Sequence, residues 1–123
     1  MAKPKLKIKY LCDDDQSRKK GMMGRDMDDE QCAFFIFPNK GCHSFWNKNV
    51  NFDLRLFFVN DKFEIVDVQD MKAGSENPVY PDSREIKYVI EVKKGFCENN
   101  DVNKGDYVDF DPDSGSLAIL RAK

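Results

Sequence analysis

The chain has 123 residues, 41% of them hydrophobic and 12% aromatic, with 20 Lys and Arg against 22 Asp and Glu. That length and core content fit one domain spanning residues 1–123 and exclude a disordered chain. A formal net charge of −2 excludes a strongly basic nucleic-acid binder.

The opening residues Met1–Lys9 lack the apolar stretch of a signal peptide. No run approaches the roughly 20 apolar residues of a membrane span, so a cytoplasmic location is expected, with neither membrane nor nucleic acid as partner. Leu6, Ile8 and Tyr10 alternate with Lys5, Lys7 and Lys9, the period-two pattern of a strand with one wet face. Asp13 to Ser17 supplies a helix N-cap, and Gly21 or Gly24 a stop, so one short helix or turn is expected there. Cys32–Phe37 reads as a buried strand ending in a turn at Pro38-Asn39-Lys40-Gly41. Ser44-Phe45-Trp46 predicts another short strand. Leu54–Val59 and Phe63–Val68, joined through Asn60-Asp61, carry the strongest hairpin signal. A long loop, 73–84, contains Gly74, Pro78 and Pro81, and loops of that length tend to carry function. Lys87–Val92 predicts a strand, 95–101 a helical turn, Tyr107-Val108 the start of a strand, and 113–115 the turn of a final hairpin returning through Leu117–Leu120. Seven or eight short strands with one or two short helices predict a mainly β fold, a compact antiparallel barrel or sandwich.

Chemistry is sparse by comparison. Cys12, Cys32, Cys42 and Cys97 include no Cys-x-x-Cys pair, and without a secretion signal they are expected as reduced thiols with no metal role. Asp109, Asp111 and Asp113 alternate as in a calcium loop, but Ser114 and Leu120 replace the glycine and glutamate that such a loop needs, so a solvated turn is the better reading. His43 is the sole histidine and has no triad partner. Ser75 lacks the Gly-x-Ser-x-Gly elbow, and no glycine-rich phosphate loop occurs. No cofactor is implied. What stands out is Phe45-Trp46-Asn47-Lys48-Asn49, followed by Asp53. A tryptophan among amides and a carboxylate offers a stacking face with directional polar groups; a buried indole, with Asn49 and Asp53 holding loop backbone, is the alternative.

These residues, with Gly21-Met22-Met23-Gly24-Arg25, Phe34–Phe37, Tyr88–Val92 and Gly105-Asp106, resemble the motifs of the domain of unknown function 192 over about residues 18–110. Asn47 stands where the family pattern has methionine, Val50 where it has threonine and Phe52 where it has proline. The resemblance implies a compact, mainly antiparallel β-barrel or sandwich and no activity. It also gathers five polar residues into one candidate set: Arg25 to pair with an anionic group, Trp46 to stack, Asn49 and Asp53 to orient, and Glu91. The leading reading is a non-catalytic module that binds a small ligand or a protein partner. A second makes the fold a structural component of a larger assembly, even a virion. A third is a small hydrolase or isomerase using Asp53 and Glu91 as an acid/base pair, which needs both carboxylates in one cleft.

Overall fold

The computed structural model describes residues 4–122. Seven strands and two short helices follow in the order β1 (Lys5–Cys12), α1 (Asp15–Lys20), β2 (Gln31–Gly41), β3 (Leu54–Asn60), β4 (Ile65–Met71), β5 (Ile86–Lys93), α2 (Lys94–Asn99), β6 (Tyr107–Asp111) and β7 (Ser116–Leu120). All seven strands form one sheet in the order β4-β3-β5-β2-β1-β7-β6. The sheet curls until its outer strands meet. Ile65 N donates to Asp106 O and Gly105 N to Ile65 O, both at 2.8 Å, and Glu64 bridges to Tyr107. The mainly β fold is therefore as expected, a curled half-barrel.

One pairing departs from the antiparallel expectation. β1 and β2 run parallel, Lys7 opposite Gln31 and Cys12 opposite Phe35. A parallel neighbour needs a crossover of a dozen or more residues, and α1 with its flanking loops supplies it. The helix begins with a capping box: Asp14 Oδ1 accepts from Ser17 N at 2.7 Å, and Ser17 Oγ from Asp14 N at 3.2 Å. It ends at Gly21, whose φ of +49° favours glycine. A Cβ there would lie 3.5 Å from the Phe35 ring, so space is adequate and the backbone is the constraint. Gly21→Ala should cost about 1–2 kcal/mol, read as a lowered urea midpoint at unchanged m-value.

Two local expectations also change. Residues 38–41 are not a turn but an irregular extension of β2, with a register shift between Ile36 and Gly41. The Lys87 ammonium donates to the Phe37 and Pro38 carbonyls there, at 2.6 and 3.1 Å. The strand expected at 44–46 reduces to a single bridge between Phe45 and Val79. The β3–β4 hairpin forms as expected. Asn60 Oδ1 accepts from Lys62 N and Glu64 N, both at 3.0 Å, and Phe63 takes the positive φ that closes the turn.

Strand alternation produces two apolar layers. One draws on every strand, with Leu6, Cys32, Phe34, Phe57, Ile65, Ile90, Val108 and Leu117, and Phe96 of α2 packs into it. The other comprises Cys12, Ala33, Phe35, Leu54, Leu56, Phe58, Met71 and Val89, covered by Met22, Met27 and Val50. All four cysteines are free.

Candidate functional site

The second layer is covered by two irregular segments, residues 21–27 after α1 and 44–53 before β3. The latter is anchored from both ends of its sequence. Phe45 packs edge-on against Phe35, with ring centroids 5.0 Å apart, and against Phe58 at 5.9 Å. Asn47 is fully buried, and its Nδ2 donates to Phe52 O at 3.0 Å and Lys72 O at 2.9 Å. The Asn47 amide N–H donates to Ser75 O and Gly74 N to Val50 O, so the segment is tied to the long loop after β4.

Between these covers and the sheet lies a cavity of about 330 Å³. Phe35, Phe45, Met22 and Val50 give it apolar walls, and Glu91 and Asn47 also line it. Arg18, Lys19, Lys20 and Trp46 line it too, with Lys19, Lys20 and Trp46 exposed. Arg18 is already engaged: it donates to Ile36 O at 2.7 Å and to Asp15 at 2.8 Å.

Glu91 sits on β5 opposite Ala33 of β2 and Leu56 of β3. It is 3% exposed. Among the described residues no hydrogen bond or ion pair reaches its carboxyl group. Burial alone therefore acts on it, pushing its pKa up to about 8. A carboxylic acid that is mostly neutral at pH 7 thus lines an apolar cavity. Its field reaches the neighbouring Cys12 thiol, which burial first, and Glu91 second, push up to about 12.

Of the five candidate residues, the cavity brings together Trp46 and Glu91. Trp46 is 47% exposed, which overturns the buried-core alternative, and Lys48 Nζ lies 5.3 Å from its ring. Asn49 shapes the covering segment: it holds a φ of +59°, and its carbonyl accepts from Gly24 N at 3.0 Å. Asp53 Oδ1 accepts from Ala73 N at 2.8 Å, with Lys94 Nζ 3.7 Å from Oδ2. The Ala73 hydrogen bond, then Lys94, hold the Asp53 carboxyl below the usual range. Arg25 lies with its guanidinium carbon 4.4 Å from the Tyr10 ring centroid and Nη1 3.4 Å from Gly21 O. Neither Asp53 nor Arg25 lines the cavity, so the acid/base pair of the third reading is not assembled there. The residues that sequence reasoning passed over are Asn47 and the α1 lysines. The one available signal was an amide at position 47 where the resemblance called for methionine.

Elsewhere, the Asp111 carboxylate accepts from Asp113 N at 3.0 Å and Ser114 Oγ at 2.9 Å, which engages it in its own turn. Asp106 is buried, and its carboxylate accepts from Asn103 N and Ala122 N at 2.8 and 3.0 Å. It therefore joins the turn before β6 to the strand end after β7. No helix among the described residues is long and apolar enough to cross a membrane.

A sequence profile described as DUF192, Uncharacterized ACR, COG1430, matches residues 3–110. The chain belongs to that family, the domain of unknown function 192. No curated protein matches the chain. Two crystal structures share the fold. A protein of unknown function from Novosphingobium aromaticivorans is 22% identical with a TM-score of 0.75, over 81% of this chain and 72% of that one. A protein from Sinorhizobium meliloti, provisionally described as a transcription regulator, is 27% identical with a TM-score of 0.75, over 83% of this chain and 79% of that one.

Proposed function

We propose that this protein is a non-catalytic binding module whose small ligand occupies the Glu91–Trp46 cavity. The observation that carries the reading is the Glu91 carboxyl group, which lines the cavity on a residue only 3% exposed and has no protein partner among the described residues. A carboxyl group held in so enclosed a place without a protein partner calls for a functional reason. Asn49 and Asp53 serve as framework for the covering segment, and Trp46 stands at the rim as a stacking face.

Trp46 is the sole tryptophan, so its fluorescence reports on the rim directly. Sugars, nucleotides, amino acids and organic acids should be titrated while fluorescence and melting temperature are followed together. A ligand of the native state should change the emission and raise the melting temperature by mass action. For that ligand, Trp46→Ala should weaken binding at least about tenfold by calorimetry, a typical loss for an aromatic anchor. Because the residue is exposed, its stability should change by no more than about 0.5 kcal/mol. Silence across the panel, or unchanged affinity in Trp46→Ala, would sink the reading.

A further inference from the structure

We propose, building on the binding-module reading above, that the cavity takes a small zwitterion, with a primary ammonium group on Glu91 and Asn47 and an acidic group toward Lys19 and Lys20. The inner polar surface offers the Asn47 Oδ1 acceptor and the Glu91 carboxyl group, which is acceptor-only once it is ionised. The Asn47 amide has its orientation imposed by the two carbonyls, of Phe52 and Lys72, that take up its Nδ2 protons. Its Oδ1 is therefore turned the other way, buried and without a donor. The second acceptor is the Glu91 carboxyl group, also unpartnered among the described residues. An ammonium group carries three donors, no acceptor and a compact positive charge. It suits either acceptor, and seated on Glu91 it converts an unpaired acid into an ion pair.

An anion would meet the Asn47 Oδ1 lone pairs and, once Glu91 ionises at high pH, the Glu91 carboxylate as well. The rim has the opposite sign: Lys19 and Lys20 are exposed and form no salt bridge among the described residues. Phe35, Phe45, Met22 and Val50 lie alongside, so the linker between the two charged ends is apolar. An ω-amino acid has this layout.

Binding also moves a proton. Below about pH 8 the empty site holds Glu91 as the neutral acid. Seating an ammonium group leaves a carboxylate paired with R–NH3+ and releases one proton to solvent. The ionisable groups placed near Glu91 are Cys12 of β1, whose thiol it pushes up, and Arg18, Lys19 and Lys20 of α1, which line the same cavity. Residues 44–50 contribute only the uncharged Ser44, Phe45, Trp46, Asn47 and Val50 to the cavity. Burial keeps Cys12 protonated, and lysine and arginine ordinarily keep their charge between pH 6 and 8. The proton released is therefore that of Glu91.

The test is calorimetric titration of the full chain with 6-aminohexanoate, hexylamine and hexanoate from pH 6 to 9, in two buffers of different ionisation heat. The expected result is binding of the first two and none of hexanoate, with affinity rising about tenfold from pH 6 to 7 and levelling above 8. About one proton should be released per ligand at pH 6. Glu91→Gln should remove the pH dependence and weaken both amines at least about tenfold. Should that variant fail to fold, the wild-type pH profile and the double variant Lys19→Ala, Lys20→Ala carry the test. The double variant should weaken 6-aminohexanoate severalfold and leave hexylamine unchanged. Preference for hexanoate, pH-independent affinity without proton release, or silence of all three compounds overturns the ammonium assignment. The binding-module reading falls separately, if the wider panel is also silent; a neutral or anionic ligand found there would keep that reading and remove this one.

Discussion

Between about pH 4.5 and pH 8 the wild-type protein should lose roughly 3–5 kcal/mol of stability, and Glu91→Gln should abolish most of that slope. The sign follows from the raised pKa of Glu91, about 8 against 4.5 unperturbed. Below pH 4.5 the acid is protonated in both folded and unfolded chains, so it imposes no difference. As pH rises, the unfolded chain ionises freely while the native state retains its proton. Each pH unit then favours unfolding by about 1.4 kcal/mol until pH 8, beyond which the difference is constant. Asp53, Asp67 and Asp70 are held below the usual carboxylate range and act in the opposite sense, withdrawing stability below about pH 4. Stability should therefore peak near pH 5. At pH 8 Glu91→Gln should melt above the wild type, by roughly 3–5 °C per kcal/mol. Melting temperature and urea midpoint against pH for the two chains check this; parallel profiles would show that Glu91 titrates as an ordinary surface glutamate.

Asn47→Ala should destabilise the protein by about 2–4 kcal/mol, although the residue is a single amide in an irregular segment. It removes two hydrogen bonds and takes from Phe52 O its side-chain donor, while Lys72 O keeps the Ser75 amide at 3.1 Å. Each lost bond is worth about 1 kcal/mol, with a further penalty where an acceptor is left unpaired. Asn47→Asp should be no better, since a carboxylate oxygen would face two carbonyl oxygens where an NH2 group stood. Urea unfolding at constant m-value measures both. A loss below about 0.5 kcal/mol for Asn47→Ala would mean that water replaces the amide readily and that the segment is not held by it.

The strand pattern was legible because alternation is a property of neighbouring residues. Leu54–Val59 and Lys87–Val92 announce themselves, and β3 and β5 fall where they point. The parallel placement of β1 beside β2 was not legible in the strands, since the same alternation serves either direction. It lay instead in the helix between them, which turns a hairpin into a crossover. Residues 38–41 misled because Pro-Asn-Lys-Gly has the composition of a turn, whereas the Lys87 ammonium holds those carbonyls in an extended bulge. Trp46 and Glu91 were legible as candidates through the motifs around them. That Glu91 is solitary could not be read, because solitude depends on which side chains from four other segments fail to reach it. Asn47 looked like a departure at one position, and only its two carbonyl partners make it an anchor.

β1 lies between β2 on one side and β7 on the other, with Lys5 opposite Ala118 and Leu6 opposite Leu117. The strand nearest the start of the sequence is thus completed by one more than a hundred positions away, as Lys5 and Ala118 show. During synthesis β1 can pair with β2 once residues 31–41 have emerged, but its other flank stays open until residues 116–120 have cleared the ribosome. Pairings that distant raise the contact order and slow folding, and an unpaired edge in the interim invites association between nascent chains. The lysines at positions 5, 7 and 9 guard that edge by charge while the chain waits.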